Sequence, residues 1–241
     1  KCTPCALGTY QGATGATVCF NTDAGYMSRT ASSAIAMGTD AIHQVAAITQ
    51  VACPQGSWKG TTITQDCQDV DAGRFASING VTFANLAATM EVNCPDGYYN
   101  LDGNNACIEA RAGYVTSTST TAVTNGISTT TTGTGTNPIT AATHEAICDK
   151  GWYKQQEGRG NCVAVTAGYV SRTTNVALSP SGASVAAGVS TVNINQAAAL
   201  YAVACPNGEY KGTTVTDECQ DVPDGSFATN DGVSWVAQAA S

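Results

Sequence analysis

Basic residues are scarce in this chain. Lys and Arg number 10 against 18 Asp and Glu, and only 12% of the 241 residues are charged, for a net charge of −8. The basic residues form no stripe and sit in no base-stacking motif, so nucleic acid is not an expected partner. Histidine is rarer still, with only His43 and His144. Both fall in spacers, are expected at the surface, and lie far from the one Cys-x-x-Cys, Cys2-Thr-Pro-Cys5, so neither metal binding nor redox chemistry is expected. Long apolar runs are missing: the longest, residues 197–204, has eight residues, far short of a bilayer span. Membrane insertion is therefore not expected. No Gly-x-Ser-x-Gly, His-Glu-x-x-His or phosphate-binding glycine loop occurs, so no catalytic residue, no metal site and no cofactor is assigned, and the chain is not read as an enzyme. The Asn-x-Ser/Thr sequon is absent too, which argues against ordinary N-glycans.

What is present is cysteine, glycine and repetition. The chain holds 11 Cys and 25 Gly. Residues 53–75, CPQGSWKGTTITQDCQDVDAGRF, return at 205–227 as CPNGEYKGTTVTDECQDVPDGSF, identical at 14 of 23 positions. Looser copies run over 5–19, 94–107 and 148–162. Each reads Cys-x-x-Gly-x-aromatic, then a second cysteine 13 or 14 positions after the first. The glycine suggests a turn with positive φ. The aromatic (Tyr10, Trp58, Tyr99, Tyr153, Tyr210) is expected to cap the crosslink.

A second half follows, with Ala24-Gly25-Tyr26, Ala72-Gly73, Ala112-Gly113-Tyr114, Ala167-Gly168-Tyr169 and Asp224-Gly225. It looks like the first half without its cysteine, an apolar residue such as Val70 or Val222 standing in that place. Spacers rich in Ala, Thr, Ser and Val complete five tandem repeats, 1–52, 53–93, 94–147, 148–204 and a truncated 205–241. The fifth matches the second and the fourth matches the first, so three repeats make a super-repeat of 152 residues between Cys53 and Cys205.

Repeats of this size cannot be held by core burial alone. A cysteine ladder in Gly/Thr-rich sequence points to an oxidising compartment, hence an extracellular or cell-surface protein. Lys1 is not an initiator, and the chain is expected to be a processed or excised part of a secreted protein. Residues 116–135 (TSTSTTAVTNGISTTTTGTG) cannot build a core and read as an O-glycosylated surface, with Thr118, Thr120, Thr121, Thr129, Thr130, Thr131 and Thr132 as candidate acceptors. Two acidic clusters (Asp66, Asp69, Asp71 and Asp217, Glu218, Asp221, Asp224) read as solvated faces, because neither follows the EF-hand ligand pattern. β-Branched residues before Cys53 favour a strand there over a helix across 41–51. Ile78-Asn79-Gly80 and Asn230-Asp231-Gly232 are expected turns opening strands at Gly80-Val-Thr-Phe83 and Gly232-Val-Ser-Trp235. Alternation across 189–195 suggests one more strand.

The pattern Cys-Pro-x-Gly-x-aromatic…Cys followed by x-Gly-aromatic, best seen at 53–67 and 205–219, resembles the cysteine-rich modules of tumour-necrosis-factor receptors and ephrin-receptor-like repeats. Similar repeats occur in protist surface and flagellar-hair proteins. The resemblance implies pairing within each loop: Cys5–Cys19, Cys53–Cys67, Cys94–Cys107, Cys148–Cys162 and Cys205–Cys219. Cys2 is left unpaired or paired outside the chain. Constant loop length favours this scheme over its competitor, which joins each closing cysteine to the next opening one and Cys2 to Cys5. Those families carry more cysteines and shorter spacers, so the long spacers here need structure of their own, such as small β-sheets. The expected fold is an all-β, elongated tandem array of disulfide-pinned modules. The expected function is a structural subunit of an extracellular fibre, filament or surface coat, self-associating and bearing glycans. A ligand-binding ectodomain of a receptor or adhesin is the alternative.

Overall fold

A computed structural model describes residues 2–39, 41–118, 140–178, 194–231 and 239–241. Among them there are strands and turns and no helix. The chain falls into two compact units. The first comprises Lys1–Pro95, Tyr99–Ile108 and Thr140–Thr143; the second comprises Asp96–Tyr98, Glu109–Ile139 and His144–Ser241.

The first unit is built from consecutive antiparallel hairpins. β1 (Thr9–Tyr10) pairs with β2 (Phe20–Asn21), and β3 (Tyr26–Arg29) with β4 (Thr49–Ala52). β5 (Ser57–Trp58) pairs with β6 (Gln68–Asp69), and β7 (Arg74–Ser77) with β8 (Met90–Asn93). Short hairpins of two-residue strands thus alternate with longer ones of four-residue strands. The first strand of each short hairpin lies inside a disulfide loop and the second begins one residue past its closing cysteine. The long one joins the second half of a repeat to the end of its spacer. β9 (Tyr98–Tyr99) and β10 (Ile108–Glu109) make the next short hairpin.

The second unit repeats the scheme. Its long hairpins are β11 (Tyr114–Ser117) with β12 (His144–Ile147) and β15 (Tyr169–Arg172) with β16 (Tyr201–Ala204). Its short ones are β13 (Trp152–Tyr153) with β14 (Val163–Ala164) and β17 (Glu209–Tyr210) with β18 (Gln220–Asp221). The architecture is therefore an all-β tandem array.

One backbone bond closes every hairpin and opens the next. Thr22 N–H donates to the Gly8 carbonyl, Cys53 to Gly25, Val70 to Gly56 and Cys94 to Gly73. In the second unit Ala110 donates to Gly97, Cys148 to Gly113, Val165 to Gly151, Cys205 to Gly168 and Val222 to Gly208. Each accepting glycine has φ between +77° and +86°, a conformation that costs an L-residue about 1–2 kcal/mol. Each donor stands three residues before the next such glycine. The second half of a repeat is thus the first half with an apolar residue in place of cysteine: Val70, Ala110 and Val165 are buried there. Thr22 holds the same place in the first repeat, and its Oγ1 is buried without a hydrogen-bond partner.

Apolar cross-strand pairs fill the long hairpins: Met27 opposite Val51, Phe75 opposite Val92, Val115 opposite Ala146, Val170 opposite Val203. Trp58 does not cap its crosslink. Met27, Ala41 and Ile35 cover Cys53 and Cys67, while Trp58 packs on Val70, Ala76 and Ala88. Trp58 stands opposite Gln68, one residue past Cys67, so the pleat sends the ring and the sulfur to opposite faces. Over Cys148 and Cys162 it is Trp152, not Tyr153, that packs.

The expected strand at Gly80–Phe83 does not form. Asn79 Oδ1 accepts the amides of Val81 and Thr82 (both 2.9 Å), tying them into a side-chain-closed turn. Its counterpart, 232–235, lies outside the described residues, as does most of 189–195. The strand before Cys53 spans only Thr49–Ala52; the residues preceding it turn instead.

Candidate functional site

The feature that recurs most strictly is the seam between successive repeats, and it begins with an Ala-Ala doublet in each spacer. Ala46, Ala87, Ala141, Ala198 and Ala239 have φ of 51–57°, the only non-glycine residues with positive φ among those described. Each donates its N–H to the carbonyl of its repeat's opening cysteine, Cys5, Cys53, Cys94, Cys148 or Cys205, at 2.8–3.1 Å. The second alanine of each doublet (Ala47, Ala88, Ala142, Ala199, Ala240) is buried. Its carbonyl accepts the N–H of the residue six past that cysteine: Gln11, Lys59, Asn100, Lys154 or Lys211.

That residue is also the link to the preceding repeat. Gly25 N–H donates to the Lys59 carbonyl and Gly73 to Asn100; in the second unit Gly113 donates to Lys154 and Gly168 to Lys211, all at 2.7–2.9 Å. The approach leaves no room for a side chain. A Cβ on Gly25 would overlap the Ala87 carbonyl, and the same holds for Gly73 with Ala141, Gly113 with Ala198 and Gly168 with Ala239. Glycine and left-handed alanine are therefore the two contact residues of a backbone-to-backbone joint.

The side chains at this linking position are buried too. Lys59 and Lys211 are 0% exposed and Lys154 is 4% exposed. Their ammonium groups donate to the carbonyls of Asp23 (3.2 Å), Thr214 (2.9 Å) and Gly158 (2.8 Å) respectively. Burial pushes all three lysines below the usual amine range. Carboxylates pull the other way: Asp23 beside Lys59, Asp217 beside Lys211, and Asp96, Glu109, Glu145 and Glu157 around Lys154. Asn100 replaces lysine in the third repeat and donates to the carbonyls of Arg74 and Asn105 at 2.8 and 2.7 Å. No motif marks these positions in the sequence. The signal was there, in the fixed spacing of six from the opening cysteine.

The structure joins Cys5 to Cys19, Cys53 to Cys67, Cys94 to Cys107, Cys148 to Cys162 and Cys205 to Cys219, with Cα atoms 5.6–5.8 Å apart. Cys2 is a free, exposed thiol. It borders a hollow whose lining, including Pro4, Gln11, Val18 and Ala46, carries no charged side chain. Formed disulfides fit an oxidising environment. No helix among the described residues is long and apolar enough to cross a membrane.

Of the candidate glycan acceptors, Thr118 is exposed just past the end of β11. Thr120, Thr121, Thr129, Thr130, Thr131 and Thr132 lie outside the described residues. Asp66, Asp69, Asp71, Asp221 and Asp224 are exposed, while Asp217 and Glu218 are half-buried. Among the described residues no three His, Cys, Asp or Glu groups gather as metal ligands.

Histidine departs from expectation. His43 is buried, not on the surface, because both ring nitrogens are taken up inside the seam. Nδ1 accepts from Ser28 N–H at 3.0 Å, and Nε2 lies 3.0 Å from the Gln65 carbonyl. His144 is half-buried on β12, opposite Ser117.

No family model matches the chain, and no curated protein is similar to it at a significant level. The fold and seam themselves define the class: a tandem array of cysteine-rich β-hairpin repeats, each pinned by one disulfide.

Proposed function

We propose that this protein is a structural, non-catalytic subunit of an extracellular fibre, filament or surface coat, O-glycosylated on its Thr/Ser-rich tract and associating with copies of itself. One observation carries the reading: the same seam recurs from repeat to repeat, made of main-chain bonds and glycine–alanine contacts that any further repeat could supply. Contacts of that kind are open-ended, since each repeat offers one face to its predecessor and another to its successor. Crosslinks in every repeat add durability outside the cell, where a domain of this size gains most from them.

Electron microscopy of the native material tests the proposal. Fibres or a regular coat with an axial repeat set by the module are expected. Monodisperse single chains under all conditions, or loss of a soluble partner's binding on changing one repeat, would overturn it.

A further inference from the structure

We propose that His43 is an acid-released clasp holding the first repeat's spacer onto the second repeat's crosslinked loop, and that Asn195 is the same clasp in acid-insensitive form. His43 binds two otherwise separate stretches. Its Nδ1 accepts the backbone N–H of Ser28 on β3, and its Nε2 meets the carbonyl of Gln65, two residues before Cys67. Only one neutral tautomer satisfies both: the proton must sit on Nε2, leaving the Nδ1 lone pair for Ser28. The surrounding bonds tighten the same junction. His43 N–H donates to Asp66 Oδ1 at 2.8 Å, and Cys67 N–H donates to the Ala41 carbonyl at 3.2 Å.

Protonation turns the acceptor into a donor. An Nδ1–H would point at the Ser28 N–H, an orientation with nothing to gain. Ser28 Oγ, 2.9 Å from Nδ1, donates to the Gln44 carbonyl and accepts from Gly8 N–H, so its second lone pair can take the new proton, but the Ser28 amide is then left without its acceptor. The charged and titratable groups facing the ring are few. Lys59, just past β5, opposes a proton, and Asp66 on the crosslinked loop favours one. Arg29 on β3 sends its guanidinium to the Ile42 carbonyl at 3.4 Å. Burial, helped by Lys59, outweighs the Gln65 carbonyl and Asp66 and holds His43 below the usual imidazole range.

The super-repeat supplies the control. Asn195 stands 152 positions after His43 and makes the same two bonds with groups that do not titrate. Ser171 N–H donates to Asn195 Oδ1 at 2.8 Å, and Asn195 Nδ2 donates to the Asp217 carbonyl at 2.6 Å. Ser171 Oγ donates to the Gln196 carbonyl at 2.9 Å and accepts from Gly151 N–H at 2.9 Å, repeating the Ser28 pattern.

The sign follows from the depressed pKa. The clasp's contribution is complete above the unfolded imidazole pKa and is lost as pH falls through the folded one. Hydrogen exchange of the Ser28 and Ser171 amides across about pH 4.5 to 7.5 reads it directly. Ser28 protection, relative to Ser171, should fall by up to about tenfold per pH unit from the unfolded imidazole pKa, near 6.5, down to the folded-state pKa of His43, and level off below it. H43N should abolish the divergence, and N195H should impose the same acid response on Ser171. Ring-nitrogen shifts of unmodified protein give a second reading: His43 should hold the Nε2–H tautomer at neutral pH. Ser28 and Ser171 protection falling in parallel, or an Nδ1–H tautomer, would overturn the proposal.

Discussion

Ala87 N–H donates to the carbonyl of Cys53 at 3.1 Å, and it does so from a left-handed backbone with φ of 55°. The bond draws the end of the spacer back to the start of its own repeat. It also presents the Ala87 carbonyl to Gly25 of the repeat before. A branched side chain at Ala87 meets the full left-handed penalty, whereas glycine escapes it. A87V should therefore lower unfolding stability by about 1–2 kcal/mol while A87G leaves it level or slightly higher. Denaturant midpoints of the oxidised protein check the pair.

Gly73 and Gly15 share positive φ, but only Gly73 faces a neighbour, the Ala141 carbonyl; Gly15 has nothing within 4 Å. G15A should cost about 1 kcal/mol of backbone strain. G73A adds a steric overlap with main chain and should cost about 2–4 kcal/mol. Equal losses in equilibrium unfolding would mean that the close approach carries no weight.

The Cys53–Cys67 crosslink closes a loop of sequence separation 14. Replacing both cysteines by serine should remove about 3 kcal/mol, most of it by freeing the unfolded chain. Calorimetry of the double variant, compared with the parent without reductant, reads the difference. A change under about 0.5 kcal/mol would show that the hairpin stands without its pin.

Lys59 gives a pH dependence of opposite chemistry to His43 but the same sign. Its folded pKa is lowered by burial against the counter-pull of Asp23. Between that value and the unfolded pKa near 10.4 the unfolded state binds more protons, so stability rises with pH through the window. K59M has no proton to exchange. The wild-type midpoint should gain on the variant's as pH rises toward that unfolded value, and parallel curves would show that the ammonium is not penalised.

Much of this arrangement could be read in the chain itself. The glycine four residues into each half-repeat, and the apolar residue standing in for cysteine at Val70, are period signals that survive into the structure as the hairpin-closing bonds. The all-β array follows from them. The Ala-Ala doublets were overlooked because alanine carries no turn signature. Only the fixed distance of six from the second alanine to the next opening cysteine betrays them: Ala47 to Cys53, Ala88 to Cys94, Ala142 to Cys148, Ala199 to Cys205. The strand expected at Gly80–Phe83 failed because Asn79 offers those amides a local acceptor. His43 was misplaced because a lone histidine in a polar spacer gives no hint that both its nitrogens will be used.

Each opening cysteine after the first is fastened three ways. Cys53 gives its N–H to Gly25, takes the N–H of Ala87 on its carbonyl, and binds Cys67 through sulfur. A pull on the two ends of the polypeptide would reach hydrogen-bonded spacers first and stop at the sulfurs. The residues enclosed by each crosslink are withheld from stretching altogether. Such a chain pays out length in discrete, limited steps, each ending against a covalent stop.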